Sequence, residues 1–132
     1  MITEELQELV RYRMEQAHDA IRASKALIDQ GLPRDSVNRS YYAMFYGVLA
    51  LLATKGLGTS KHSGAISLFD REFVKTGLLS KDLSAWIHDA FEERIEADYA
   101  DMAQVTRDDA MSLLQEGTDF VEAVRTYLES VV

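Results

Sequence analysis

One proline in 132 residues, Pro33, and seven glycines constrain this chain more than any other feature. Pro33, Gly31, Gly56, Gly58 and Gly77 fall between stretches whose apolar residues recur at every third or fourth position, the pattern of long helices joined by short connections. Leu6, Val10, Met14, Ala17, Ile21, Ser24 and Ile28 step in this way and make one face of a first helix. Thr3 is placed to cap it, and Glu4 and Glu5 stand where the positive end of the helix dipole favours acids. Gly31 suits the stop, and Pro33 the start of the next helix.

The second helix is predicted from about Pro33 to Lys55. Val37, Tyr41, Met44, Val48, Leu51 and Leu52 form its main apolar stripe, and Asn38, Tyr42, Phe45, Tyr46 and Leu49 form another. A helix apolar on most sides is central or lies at an interface. Gly56-Leu-Gly58 ends it. Ser60 is expected to cap a third helix that reaches about Lys75, with Ile66, Phe69 and Phe73 inward. Gly77 breaks that helix, and Ser80 caps a fourth carrying Leu83, Trp86, Ile87, Ala90 and Phe91. Thr106 with Asp109 has the spacing of a capping box, Asp replacing the usual Glu. The fifth helix follows, with Met111, Leu114, Val121, Val124 and Leu128 facing inward. No segment shows sustained strand alternation, and no repeat, linker or low-complexity stretch interrupts the chain. The reading is one all-α domain over residues 1–132, an antiparallel bundle of four to five helices.

An apolar fraction of 47% and a charged fraction of 27% are those of a globular protein and exclude disordered and fibrous classes. Without cysteine there is neither a disulfide framework nor a Cys-based zinc site. The net charge of −8 argues against a broadly basic nucleic-acid binder but leaves room for a local phosphate site. The charge is uneven. Residues 1–60 hold seven basic and seven acidic side chains, whereas residues 61–132 hold seven basic and fifteen acidic. Glu92, Glu93, Glu96, Asp98 and Asp101 crowd around Arg94. Glu4, Glu5 and Glu8 are of the wrong sign for a signal peptide's leading region. The longest uncharged run, the fifteen residues Ser40 to Thr54, is too short for a comfortable membrane span, so a cytoplasmic protein is expected.

Three stretches carry candidate chemistry. In Asn38-Arg-Ser-Tyr-Tyr-Ala-Met-Phe-Tyr46, three tyrosines and a phenylalanine either stack on bases or pack as core and dimer interface. Gly58-Thr-Ser-Lys-His-Ser-Gly64 places Lys61, His62 and Ser63 at the first turn of a helix, where free backbone N–H groups can hold an anion. The spacing is not that of a P-loop, and a plain Ser60 cap with a locally packed His62 is the alternative. In Phe91-Glu-Glu-Arg-Ile-Glu-Ala-Asp-Tyr-Ala100, Arg94 and Asp98 share one helical face. They form either an exposed ion pair or a fork for a phosphate. His88 and Glu92 have the i,i+4 spacing of metal ligands, but one His and one Glu do not make a site, and no metal or other cofactor is expected.

The same residues resemble the HEPN-domain family, and most of all its stand-alone prokaryotic branch. That branch shows a Ser-x-Tyr-Tyr-Ala-x-Phe-like helix, a Lys/Thr-His-Ser/Gly helix start and an Arg-x-x-x-Asp-Tyr ending. They appear here as Ser40-Tyr-Tyr42-Ala-Met-Phe45, Lys61-His62-Ser63-Gly64 and Arg94-Ile-Glu-Ala-Asp98-Tyr99, in order and across most of the chain. The resemblance implies a bundle of four or five helices that dimerises and is often encoded beside a minimal nucleotidyltransferase as a toxin–antitoxin-like pair. Many such domains are metal-independent ribonucleases with an Arg-x(4 to 6)-His motif, whose Arg binds phosphate and whose His assists the RNA 2′-hydroxyl. Arg94 matches that Arg, but positions 99, 100 and 101 are Tyr, Ala and Asp. Neither Tyr nor Asp has an ordinary pKa near neutrality.

The expectation is therefore a HEPN-like module that binds a nucleotide or a nucleotidyltransferase partner through Arg94 and Asp98, with Ser40, Tyr41, Lys61 and His62 assisting. Tyr99 is, by resemblance, a candidate acceptor of transferred AMP. A second expectation is a metal-independent endoribonuclease in which Arg94 stabilises phosphate and His62 or Tyr99 moves the proton. This requires the fold to bring His62 next to Arg94. A third is a structural helical dimer.

Overall fold

Thr3 turns the chain into its first helix by accepting a hydrogen bond from the Leu6 amide at 3.2 Å. That helix, α1, runs Glu4–Asp29. The computed structural model describes residues 2–99 and 104–132. After α1, Gly31 adopts φ +76°, a conformation that favours glycine, and the Leu32 amide reaches back to the Leu27 carbonyl at 2.8 Å. Pro33 then opens α2, Pro33–Thr54.

The two apolar stripes of α2 have the predicted consequence: this helix packs against every other one. Tyr41, Met44, Val48, Leu51 and Leu52 are all 0% exposed. Against α1 the contact is partly polar. Ser24, Ser36 and Ser40 are fully buried, and the Ser24 hydroxyl lies 2.8 Å from Ser36 Oγ and 2.7 Å from Ser40 Oγ. The three hydroxyls satisfy one another, which is what makes their burial tolerable. Two turns further along α2, a Cβ placed at Gly47 would stand 3.3 Å from Phe120 Cε1, so this glycine sets how closely the last helix approaches.

The third helix begins later than expected. α3 runs His62–Phe69, Lys61 occupies the cap position without a side-chain hydrogen bond, and Ser60 is not the cap. It is the Thr59 hydroxyl that accepts from a backbone amide here, that of Lys61 at 3.4 Å. The chain continues directly into a π-helical turn, Asp70–Val74. Phe69 and Phe73 are both 0% exposed across that junction, their rings 6.4 Å apart. α4 runs Lys81–Tyr99, with Ser80 Oγ accepting from the Asp82 amide at 3.1 Å. α5 runs Arg107–Val131 behind the predicted capping box, whose two bonds between Thr106 and Asp109 measure 3.0 and 3.2 Å. Its buried line is Ala110, Leu113, Gly117, Phe120, Val121, Val124 and Leu128. Met111, expected inward, is 46% exposed, because Ala110 and Leu113 set the phase of the first turns. The described residues thus form the expected all-α bundle of five helices around α2. None of these helices is long and apolar enough to cross a membrane.

Candidate functional site

One helical turn separates Tyr41 from Phe45 on α2, so their rings lie side by side, 5.9 Å apart and 23° from parallel. The first residue of α3, His62, lays its imidazole on Phe45 at 4.0 Å and 17°. From there Nδ1 reaches the Tyr41 hydroxyl at 2.8 Å. Tyr42 meets the same imidazole edge-on at 5.7 Å. α4 closes the cluster from its own side. Phe91 tilts against Tyr41 at 5.9 Å, and Arg94 lies with Cζ 5.1 Å from the Tyr41 ring centre and 5.7 Å from that of Tyr42. Residues 41, 42, 45, 62 and 94, remote in sequence, therefore share one surface.

The electrostatics are those of a desolvated cation. The Arg94 side chain is 15% exposed, and its Nε and Nη1 are buried with no hydrogen-bond partner among the described residues. Asp98, one turn on, comes to 3.8 Å of Nε, an ion pair but not a hydrogen bond. The π faces of two tyrosines supply part of what the guanidinium lacks. Burial lowers the pKa of His62 below its ordinary value of 6.5, and the Arg94 charge lowers it further, so the imidazole is neutral at pH 7. Burial raises the Tyr41 phenol, Arg94 opposes that rise, Tyr42 adds to it, and the balance keeps the hydroxyl protonated.

The structure thus brings together Arg94, Asp98, His62 and Tyr41 of the predicted set. Tyr41 takes a different part from the one expected of it. Its ring is 0% exposed, so it is a platform for Arg94 and an anchor for His62, not a surface open to a base. Lys61 is exposed at the cap of α3, beside His62 in sequence. Ser40 does not join the site: it is 0% exposed, and its hydroxyl is bonded to Ser24 on the α1 side of α2. The side chain of Tyr99, with Ala100 and Asp101, lies outside the described residues.

Arg39, a polar neighbour of the buried rings in the 38–46 stretch, also joins this surface. Its Cζ lies 4.9 Å from the Tyr42 ring centre, and its Nε and Nη2 donate to Asn38 Oδ1 at 3.3 and 3.1 Å. The i,i+3 spacing of Arg39 and Tyr42 carried that contact in the sequence. His88 is engaged elsewhere, its Nε2 2.7 Å from Asp70 Oδ2, while Ser84 donates to Asp70 Oδ1 at 2.7 Å. Among the described residues no three His, Asp or Glu side chains are grouped to hold a metal ion. The excess acid collects mainly on α4 and α5. Burial raises the Glu93 carboxyl, and the charges of Glu116, Asp109, Asp89 and Glu96 raise it further. Glu93, Glu96 and Asp109 line a cleft of about 320 Å³ together with Val37, Ala97, Gln104 and Val105.

Known proteins are similar to this sequence over almost its whole length. A family model for the HEPN domain matches residues 10–127. A UPF0332 protein of Thermotoga maritima is 34% identical over 127 residues, 96% of each chain. A protein of Methanocaldococcus jannaschii that carries the name "Putative toxin" is 36% identical over 126 residues, 96% of this chain and 83% of its own. A second protein of that organism with the same designation is 31% identical over 132 residues, 100% of this chain and 98% of its own.

Proposed function

Because the chain belongs to the HEPN domain family, we propose that it binds a phosphate-bearing ligand, a nucleotide or an RNA, through Arg94. The single observation behind this reading is the pair of buried Arg94 nitrogens without a hydrogen-bond partner among the described residues. A guanidinium held this far from water is costly unless something completes it. A phosphate oxygen fits its fork geometry. Asp98 restrains the side chain at 3.8 Å without filling its donors. Arg39 adds a second positive charge 4.9 Å from the Tyr42 ring centre. We further propose that the domain dimerises and acts with a minimal nucleotidyltransferase in a toxin–antitoxin-like pair; the names of the two Methanocaldococcus relatives support the toxin part of that reading. In that pair Tyr99 is the candidate acceptor: its oxygen attacks the α-phosphorus of ATP and pyrophosphate leaves. An unchanged intact mass after incubation with an active transferase and ATP removes this part.

The test of the binding reading is fluorescence titration of the wild-type protein and Arg94→Ala with ATP and with a labelled single-stranded RNA, in EDTA. Binding by the wild type that Arg94→Ala loses supports it. Equal affinities sink it.

A second reading, metal-independent RNA cleavage, is favoured by one observation: His62 and Arg94 lie on the same tyrosines, although no histidine follows Arg94 at the family spacing. Cleavage of the same RNA in EDTA by wild type, Arg94→Ala and His62→Ala tests it. Cutting that needs both residues would make this chain an enzyme.

A further inference from the structure

We infer that Tyr41 donates its hydroxyl hydrogen to Nδ1 of His62 and thereby fixes His62 as a neutral imidazole carrying its hydrogen on Nε2, a donor for a phosphate oxygen next to Arg94 and not a proton acceptor. The donor's role rests on the phosphate-binding reading above; the tautomer does not.

The inference follows from accounting for one hydrogen. The Tyr41 ring is 0% exposed, and its hydroxyl lies 2.8 Å from His62 Nδ1, its one hydrogen-bond partner among the described residues. A neutral imidazole has one N–H and one bare nitrogen. If Nδ1 carried the hydrogen, it would donate to the phenol oxygen, and the phenol hydrogen would need another acceptor. The Arg94 guanidinium, 5.1 Å from that ring's centre, has donors only. A buried hydroxyl hydrogen would then be stranded. With the phenol donating to a bare Nδ1, every hydrogen of the pair is used, and what is left over is lone-pair capacity on oxygen, the cheaper shortfall. The remaining hydrogen must be on Nε2, which makes no hydrogen bond among the described residues. Arg94 on the same tyrosines discourages a second proton on the ring, in agreement with the lowered pKa of His62.

The consequence is chemical. An imidazole whose Nδ1 is occupied by a phenol hydrogen and whose Nε2 bears a hydrogen has no free lone pair with which to take a proton from a 2′-hydroxyl. It does have an N–H to offer. On the same two tyrosines as Arg94, it turns a single cation into a two-residue clamp for phosphate oxygens. The tautomer thus separates the two readings of the site: the arrangement binds and does not cut.

The experiment is a long-range proton–nitrogen correlation spectrum of the ¹⁵N-labelled full chain, free of ligand, at pH 7, with the His62 signals identified by their loss in His62→Gln. The expected result is a bare, pyridine-type Nδ1 and a protonated, pyrrole-type Nε2 in the wild type. In Tyr41→Phe the two nitrogen signals move toward the averaged positions of a freely exchanging imidazole. A pyrrole-type Nδ1 in the wild type, or identical His62 signals in wild type and Tyr41→Phe, overturns the inference. The wild-type spectrum decides even if Tyr41→Phe does not fold. Titration with labelled single-stranded RNA then reads the donor: His62→Phe weakens binding about tenfold, the loss of one charge-assisted hydrogen bond. His62→Gln, whose amide N–H stands in for Nε2–H, recovers part of it. Unchanged affinity in His62→Phe, or RNA cleavage that depends on His62, overturns the donor's role. Failure of the wild type to bind RNA or ATP at all, with the expected tautomer present, overturns the phosphate reading and leaves the role of Tyr41 intact.

Discussion

The guanidinium carbon of Arg94 lies 5.1 Å from the centre of the Tyr41 ring, a ring that is itself 0% exposed. Such a charge costs the fold stability, because two of its nitrogens are buried without hydrogen bonds among the described residues. Arg94→Met keeps the length and apolar stem of the side chain and removes the charge. The expected outcome is a stability within about 1 kcal/mol of the wild type or above it, together with loss of nucleotide and RNA affinity. Thermal unfolding and titration measure the two. A fall of several kcal/mol would instead make Arg94 a structural anchor.

Tyr41→Phe takes away one hydroxyl and leaves its ring contacts. Losing the 2.8 Å bond to His62 costs about 0.5–1.5 kcal/mol of stability, the range for a single neutral hydrogen bond. The same change moves His62 upward. A hydrogen bond donated to bare Nδ1 favours the neutral ring, so without it the pKa rises, while burial and the Arg94 charge still hold it down. An NMR titration of the His62 ring protons checks the direction, and a downward move would contradict it.

Ser24 is the hub of the α1–α2 contact, bonded to Ser36 O, Ser36 Oγ and Ser40 Oγ within 3.0 Å. Ser24→Ala leaves two buried hydroxyls without that partner and is expected to cost about 1–3 kcal/mol in denaturant unfolding. Ser40→Ala removes one outer member and costs less. Neither is expected to change RNA or ATP affinity, since this cluster faces α1 and not Arg94. A selective loss of binding in Ser40→Ala would return that serine to the site.

The fold was legible where chemistry is local. Thr3, Pro33, Ser80 and the Thr106–Asp109 box each act on a backbone group within a few residues, and each begins a helix as read. Ser60 misled because Thr59, a residue earlier, provides the side-chain oxygen and the turn closes without a side-chain cap. Met111 misled because a spacing of three to Leu114 fits two neighbouring faces of a helix, and tertiary packing chose the one through Ala110 and Leu113. For the site, the sequence supplied Arg94, His62 and Tyr41 as separate candidates. Whether His62 meets Arg94 depends on how α3 and α4 lie against α2, which no local pattern encodes. Ser40 failed for the same reason in reverse: it is next to Tyr41 in sequence, yet about 100° around the helix, and so points to a different partner.

The acid on α4 and α5 gives the fold a pH dependence that can be worked out in sign. Glu93 has its carboxyl raised by burial and by Glu116, Asp109, Asp89 and Glu96, and Glu116 is raised by burial and by Asp89. A carboxyl raised in the folded state takes up a proton there before the unfolded chain does. Its charge therefore destabilises the fold at neutral pH, and the penalty fades as pH falls toward the ordinary carboxylate value of 4.5. His62 acts oppositely: lowered in the folded state, it costs stability as pH drops below 6.5. A pH scan of the wild type alone mixes the two. Glu93→Gln separates them, because it removes the carboxylate repulsion and leaves His62 in place. The expected result is a variant that melts above the wild type at pH 7, by an advantage that shrinks as pH approaches 4.5 and is insensitive to ATP or RNA. Salt should narrow the gap at pH 7, since the charges concerned are partly exposed and screened. A variant no more stable than the wild type at pH 7, or an advantage constant with pH, would mean that the acidic side chains of α4 and α5 do not oppose folding.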